Sequence, residues 1–121
     1  MSNRIISVVD EVDTADATVT TIVSATIPDG FFGVLSVDGC AEHDGTPADA
    51  YGYQNSFLVS GEGGAATLRN SSAVPLEQDP AATGVTITVD TSGATVRVRA
   101  TGIAAEDWVW AAHIGGLLHE R

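Results

Sequence analysis

The chain has 121 residues and a mass of 12.4 kDa, the size of one domain, and its 44% hydrophobic content suffices for a core without disulfides or metals. Five basic residues, all Arg, stand against sixteen acidic ones, and the formal net charge of −11 makes nucleic acid and anionic membranes poor partners. A single cysteine, Cys40, excludes an intrachain disulfide and a thiolate-rich zinc site, and neither a membrane span nor a signal-peptide pattern is found, so a soluble, uncleaved chain is expected.

Gly, Pro, Ser, Thr and Asp interrupt nearly every window long enough for a helix, while β-branched residues cluster in short runs, so the expected fold is all-β with little or no helix. The first strand is predicted at Arg4–Val9 and ends in Asp10, Glu11, Asp13 and Asp16, read as solvated loop. Residues 1–17 are accordingly an N-terminal strand or arm, with Arg4, Ile5, Ile6, Val8 and Val9 as candidate docking residues, and residues 18–121 are the β-sandwich domain. A second strand, Thr18–Ile27, stops at Pro28, Asp29 and Gly30, a turn in which proline presets φ and glycine accepts φ > 0. From Phe31 to about Cys40 both faces are apolar, the pattern of a central strand. Asp44–Asp49 reads as a long loop, and Tyr51–Ser60 as a strand with Tyr51, Tyr53, Phe57 and Val59 facing inward.

Gly61–Gly64 is a predicted turn into a strand at Ala65–Arg69. Asn70, Ser71 and Ser72 form a break and a formal glycosylation sequon, and Pro75 places the short strand around Val74 at an edge or beside a bulge. Gly84–Thr101 is a hairpin turning at Thr91, Ser92 and Gly93, with Val on one face and Thr and Arg on the other. After a turn at Gly102–Asp107, the last strand, Trp108–Ile114, carries Trp108, Trp110, Ala112 and Ile114 on one face. About eight antiparallel strands at this spacing predict a sandwich, jelly-roll-like in plan.

No constellation for chemistry stands out. Glu42, His43, Asp44 and Asp49 match no zinc or calcium signature and read as a polar loop tip. His113 and His119 have no partner nearby in sequence, Cys40 reads as a small buried hydrophobe, and no serine sits in a nucleophile elbow. Arg97 and Arg99 share a face and read as solvated surface or partners for the acidic excess. Trp108, Trp110, Tyr51 and Tyr53 are expected in the core, with sugar stacking as the alternative. Catalytic, cofactor and metal sites are all expected to be absent, and the chain is read as not an enzyme.

The last third, TGVTITVDTSGATVRVRATGIAAEDWVWAAHI, resembles the C-terminal half of small β-sandwich proteins of tailed phages and prophages. The resemblance rests on the turn Asp90–Gly93, the following Gly102, the closing Trp110, Ala111 and Ala112, and the upstream tyrosine and Ala66–Arg69 strands. It implies a virion structural protein assembled in the host cytoplasm, on the capsid as a decoration protein or in the tail as a fibre or adhesin. The implied partners are its own copies, commonly as a homotrimer, capsid or tail proteins, and in the adhesin case a host surface glycan. Decoration of the capsid is the expectation favoured from the sequence.

Overall fold

Alternation of apolar and polar residues carries through most of the chain, and its physical result is two sheets that each turn one face to the other. The computed structural model describes residues 2–44, 46–69, 74–78 and 84–121, with backbone alone at 46–48 and 74–78. Its strands are β1 (Asn3–Thr14), β2 (Thr20–Thr26), β3 (Phe31–His43), β4 (Thr46–Glu62), β5 (Ala65–Arg69), β6 (Val74–Gln78), β7 (Thr86–Ser92), β8 (Thr95–Thr101) and β9 (Trp108–Glu120). They form an antiparallel sandwich. A six-stranded sheet has the order β1-β9-β3-β4-β5, with β6 also paired to β4, and a three-stranded sheet has the order β2-β8-β7.

The core lies between the sheets. Leu35, Val37, Phe57, Val59, Trp108, Trp110, Ile114 and Leu118 come from the larger sheet and meet Ile22, Val23, Val85, Ile87, Val96 and Val98 from the smaller sheet and its approach. Trp108 and Trp110, 0% and 2% exposed, are its largest side chains. Each buried indole removes about 200 Å² from water and leaves one N–H to satisfy. Trp110 Nε1 donates to Thr14 Oγ1 at 2.9 Å, and Trp108 Nε1 donates to Glu106 Oε1 at 3.1 Å.

Several strands run longer than their sequence pattern indicates, because a neighbouring strand supplies a ladder. Asp10–Asp13, expected as solvated loop, is strand. Val12 packs on the core and Thr14 is buried, while Glu11 and Asp13 stay on the wet face, so the acidic residues fit the pleat without burial. β1 pairs with β9 without interruption from Asn3↔His119 to Thr14↔Trp108, which makes the N-terminal segment part of the sheet. The predicted loop at Asp44–Asp49 is mostly strand as well. β3 runs on to His43, and β4 pairs with it from Thr46 through a bulge at Glu42/His43. Gly115–Glu120, beyond the predicted end of the last strand, extends β9 with Leu118 buried.

Elsewhere the expectations match more closely. β5 has the predicted bounds, and β6 pairs only with β4 among the described residues, with a register shift between Tyr51 and Tyr53 near Pro75. The β7–β8 turn falls at Gly93–Ala94, where Gly93 takes φ 57. β3 is central, as its composition indicates, but only one of its faces is covered, and Phe32, Val34 and Cys40 face solvent. The Asn70–Ser72 break and sequon lie outside the described residues.

Two substitutions test this frame. Thr14→Val should lower stability by about 1–3 kcal/mol, the usual penalty of orphaning a buried N–H, with Thr14→Ser close to wild type, as read by urea denaturation. At Gly33 a Cβ would fall on the Leu117 carbonyl oxygen of β9, so Gly33→Ala should cost more than about 2 kcal/mol. Gly39→Ala, whose Cβ would be crowded only by the end of the Ile87 side chain and otherwise make ordinary contacts, should cost distinctly less by the same measurement.

Candidate functional site

The three polar clusters of the sequence have different fates. His43, at the end of β3, stacks on Trp108 with ring centroids 5.2 Å apart and planes 11° apart. Its Nδ1 lies 3.4 Å from Asp49 Oδ2 and its Nε2 lies 3.9 Å from Glu106 Oε1. The fold thus keeps His43 and Asp49 together and adds Glu106, which no local signal in the sequence connects to them. Glu42 points to the opposite, solvent side. Among the described residues no group of three His, Cys, Asp or Glu side chains could hold a metal ion. The arrangement covers the indole and holds the β3 and β9 ends together.

Arg97 forms a bidentate pair with Asp90 on the outer face of the smaller sheet, Nε and Nη2 each 2.8 Å from a carboxylate oxygen. Arg99 stands 3.7 Å from the same carboxylate. The hydrogen bonds from Arg97 hold the Asp90 carboxyl below its ordinary range. Trp108 and Trp110 have no free ring face for a sugar. Tyr51 and Tyr53 are half-buried, with Tyr51 Oη accepting from the Ile87 N–H at 3.4 Å and Tyr53 Oη accepting from Asn55 Nδ2 at 2.9 Å. Burial raises the Tyr51 phenol above its usual pKa. These aromatic residues serve the interior.

What remains is the solvent face of the six-stranded sheet. Register places Ile5, Leu117, Val34 and Leu58 side by side on β1, β9, β3 and β4, with Arg69 of β5 next in line. All four aliphatic side chains are exposed, so an apolar row crosses the sheet at right angles to its strands. Phe32, exposed in the adjacent row, meets the His119 ring edge-on at 5.5 Å. A shallow depression of about 290 Å³ beside it is lined by Phe32, Leu58, Glu62, Arg69 and Arg121. At the far end of the same face lie Glu11, Asp13 and Glu42. The face is therefore apolar toward one end, where two arginines and Glu62 rim it, and acidic at the other.

Between these ends a polar file joins strands distant in sequence. Ser7 Oγ and His113 Nε2 lie 3.1 Å apart, His113 Nδ1 is 3.8 Å from Asp38 Oδ2, and Gln54 Nε2 donates to Asp38 Oδ1 at 2.8 Å. Serine, histidine and aspartate meet here although no local motif announces them. The Asp38 carboxylate, half exposed and beyond hydrogen-bond reach, does not fix the imidazole tautomer, and the file lies on an open sheet. It works as a cross-strand tie. Of the candidate arm residues, Ile6 and Val8 pack toward the core, while Ile5 and Val9, 84% and 69% exposed, project from the outer face. Arg4 places its guanidinium 4.8 Å from the centre of the Phe31 ring.

No protein-family model and no curated protein matches the chain. Similar solved structures include three tailspikes, all at low identity. They are the tailspike protein gp49 of Acinetobacter baumannii bacteriophage Fri1, a capsular polysaccharide depolymerase (13% identity, TM-score 0.48, 93% of this chain and 17% of that chain), the tailspike protein of A. baumannii phage AM24 (11%, 0.46, 92% and 26%), and that of Acinetobacter phage vB_ApiP_P1 (15%, 0.44, 97% and 22%). This chain thus spans about a quarter or less of each tailspike.

The Asp90 pair gives a pH test. A carboxyl with a depressed folded pKa stabilises the fold above its unfolded value, about pH 4, and that contribution disappears as the pH falls through the lowered value. Because Asp90 is well solvated, the effect should be no more than about 1 kcal/mol. Asp90→Asn should therefore lower the urea midpoint slightly at pH 6, and the difference from wild type should shrink as the pH is taken below about 4.

Proposed function

We propose that this chain is a structural, non-enzymatic module of a phage particle that acts by docking through the solvent face of its six-stranded sheet. The observation that carries the reading is the row Ile5, Leu117, Val34 and Leu58, an exposed apolar band on a strongly acidic protein. An apolar surface of this extent, rimmed by polar and charged groups, is suited to burial against another protein. The sequence resemblance to virion β-sandwich proteins supports the same reading. Of the two placements that resemblance allows, the tail, as part of a fibre or spike, is the one proposed, and the capsid surface is the competing outcome of the test. The chain's partners are then neighbouring particle proteins and its own copies.

Deletion of residues 2–16 is not a clean test, because it removes β1 and the acceptor of the Trp110 N–H. Point changes on the wet face are preferable. Leu58→Asp and Val34→Asp, both on exposed side chains, should leave the melting temperature within a few degrees of wild type and reduce incorporation into particles at least about tenfold. Immunogold electron microscopy should place the wild-type protein on tails. Label over heads would replace the tail placement by capsid decoration, and full incorporation of both variants would remove the docking role of this face.

A further inference from the structure

β1 is the edge of the larger sheet, and among the described residues it pairs with β9 alone. The direction of its backbone groups follows from two bonds. Ser2 O accepts from Glu120 N of β9, while the Glu11 N–H is taken by the Asp10 side chain, Oδ1, at 2.8 Å and not by the ladder. N–H and C=O groups alternate from side to side along an antiparallel strand, so even-numbered residues of β1 serve β9 and odd-numbered ones face outward. Ile5, Ser7 and Val9 thus present unused donors and acceptors on an open edge. Such an edge invites a further strand.

We infer that a second copy of this chain fills it, β1 against β1, antiparallel about a two-fold axis at Ser7. In this register Arg4 faces Asp10 of the second copy, Ile5 faces Val9, and Ile6 faces Val8. Every outward-facing residue opposes an outward-facing one, so the two larger sheets join into one continuous sheet. Ile5 and Val9, highly exposed in the single chain, cover each other on the wet face. Ile6 and Val8, partly buried against the core, become covered on the inner side. Arg4 meets Asp10, whose second carboxylate oxygen is left for it because Oδ1 holds the Glu11 N–H.

The sequence of β1 selects this register over its neighbours. Moving the axis from Ser7 to Val8 sets Ile5 against Glu11 and Ile6 against Asp10, and moving it to Ile6 leaves Arg4 opposite Val8. Single-residue slips between these exchange inner and outer faces. Only the Ser7-centred pairing matches charge with opposite charge and apolar with apolar, and no acidic residue opposes another within it. About six new backbone hydrogen bonds link the pairs of Ile5, Ser7 and Val9. This pairing rests on the assembly reading above only in its need for copies to meet, and it differs from the three-fold association that the sequence resemblance implies.

The test is mass in solution of the full chain at about 100 μM, by sedimentation or native mass spectrometry. The expected wild-type mass is twice 12.4 kDa. Arg4→Asp and Asp10→Arg should each weaken association more than about tenfold, and the double variant should restore it, which a merely structural effect of either change would not do. Ser7→Pro removes an outward N–H that β9 does not use and should give a monomer with an unchanged β-sheet circular dichroism spectrum. A wild-type monomer, a mass of three times 12.4 kDa, or single variants that associate like wild type would each overturn the pairing. Particle localisation is read separately, so either result is compatible with success or failure of the tail reading.

Discussion

Two indoles buried on one strand constrain nearly everything else in this protein. Trp108 and Trp110 both face inward from β9, and each brings an N–H that the core alone cannot satisfy. The acceptors lie at very different distances in sequence, Glu106 just before the strand and Thr14 near the start of the chain. Meeting the second requirement places the end of β1 beside the start of β9, and the uninterrupted ladder between them follows. A solvated acidic arm would leave the Trp110 N–H unpaired in the interior, at a cost comparable to a lost hydrogen bond.

The charge distribution follows from the same layering. Carboxylates are confined to faces and rims where water reaches them, so strands can carry Glu11, Asp13, Asp38 and Glu42 without an interior charge. Glu11, Asp13 and Glu42 gather at one end of the larger sheet, and the other end holds Ile5, Leu117, Val34 and Leu58, with Arg69, Arg121 and Glu62 nearby. The proposed docking row and the proposed β1 edge pairing would meet at the same strand, the first through side chains of the wet face and the second mainly through backbone groups of the edge.

The histidines show how little of a surface cluster depends on local sequence. His43 is organised by an indole and by a carboxylate from the connection between β8 and β9. His113 is organised by Ser7 and Asp38 from strands on either side of it. In both cases the partners are set by register, and the result is a tie between strands.

The alternation of apolar and polar residues determined the fold class, most strand positions, the β7–β8 hairpin and the inward face of Trp108–Ile114, because a period of two records which side of a strand meets the core. It also indicated that Pro75 sits at an edge or beside a bulge and that β3 is central. Strand ends were another matter. Asp10–Asp13, Thr46–Asp49 and Gly115–Glu120 carry no apolar alternation strong enough to mark a strand, and they become strand because β9 and β3 offer them ladders. The apolar row was equally hidden, since Ile5, Val34, Leu58 and Leu117 come from four separate segments that only pairing register sets side by side. Sequence records the face of each residue, whereas the neighbour across the ladder depends on how the strands are ordered, and that was decided by the tertiary structure alone.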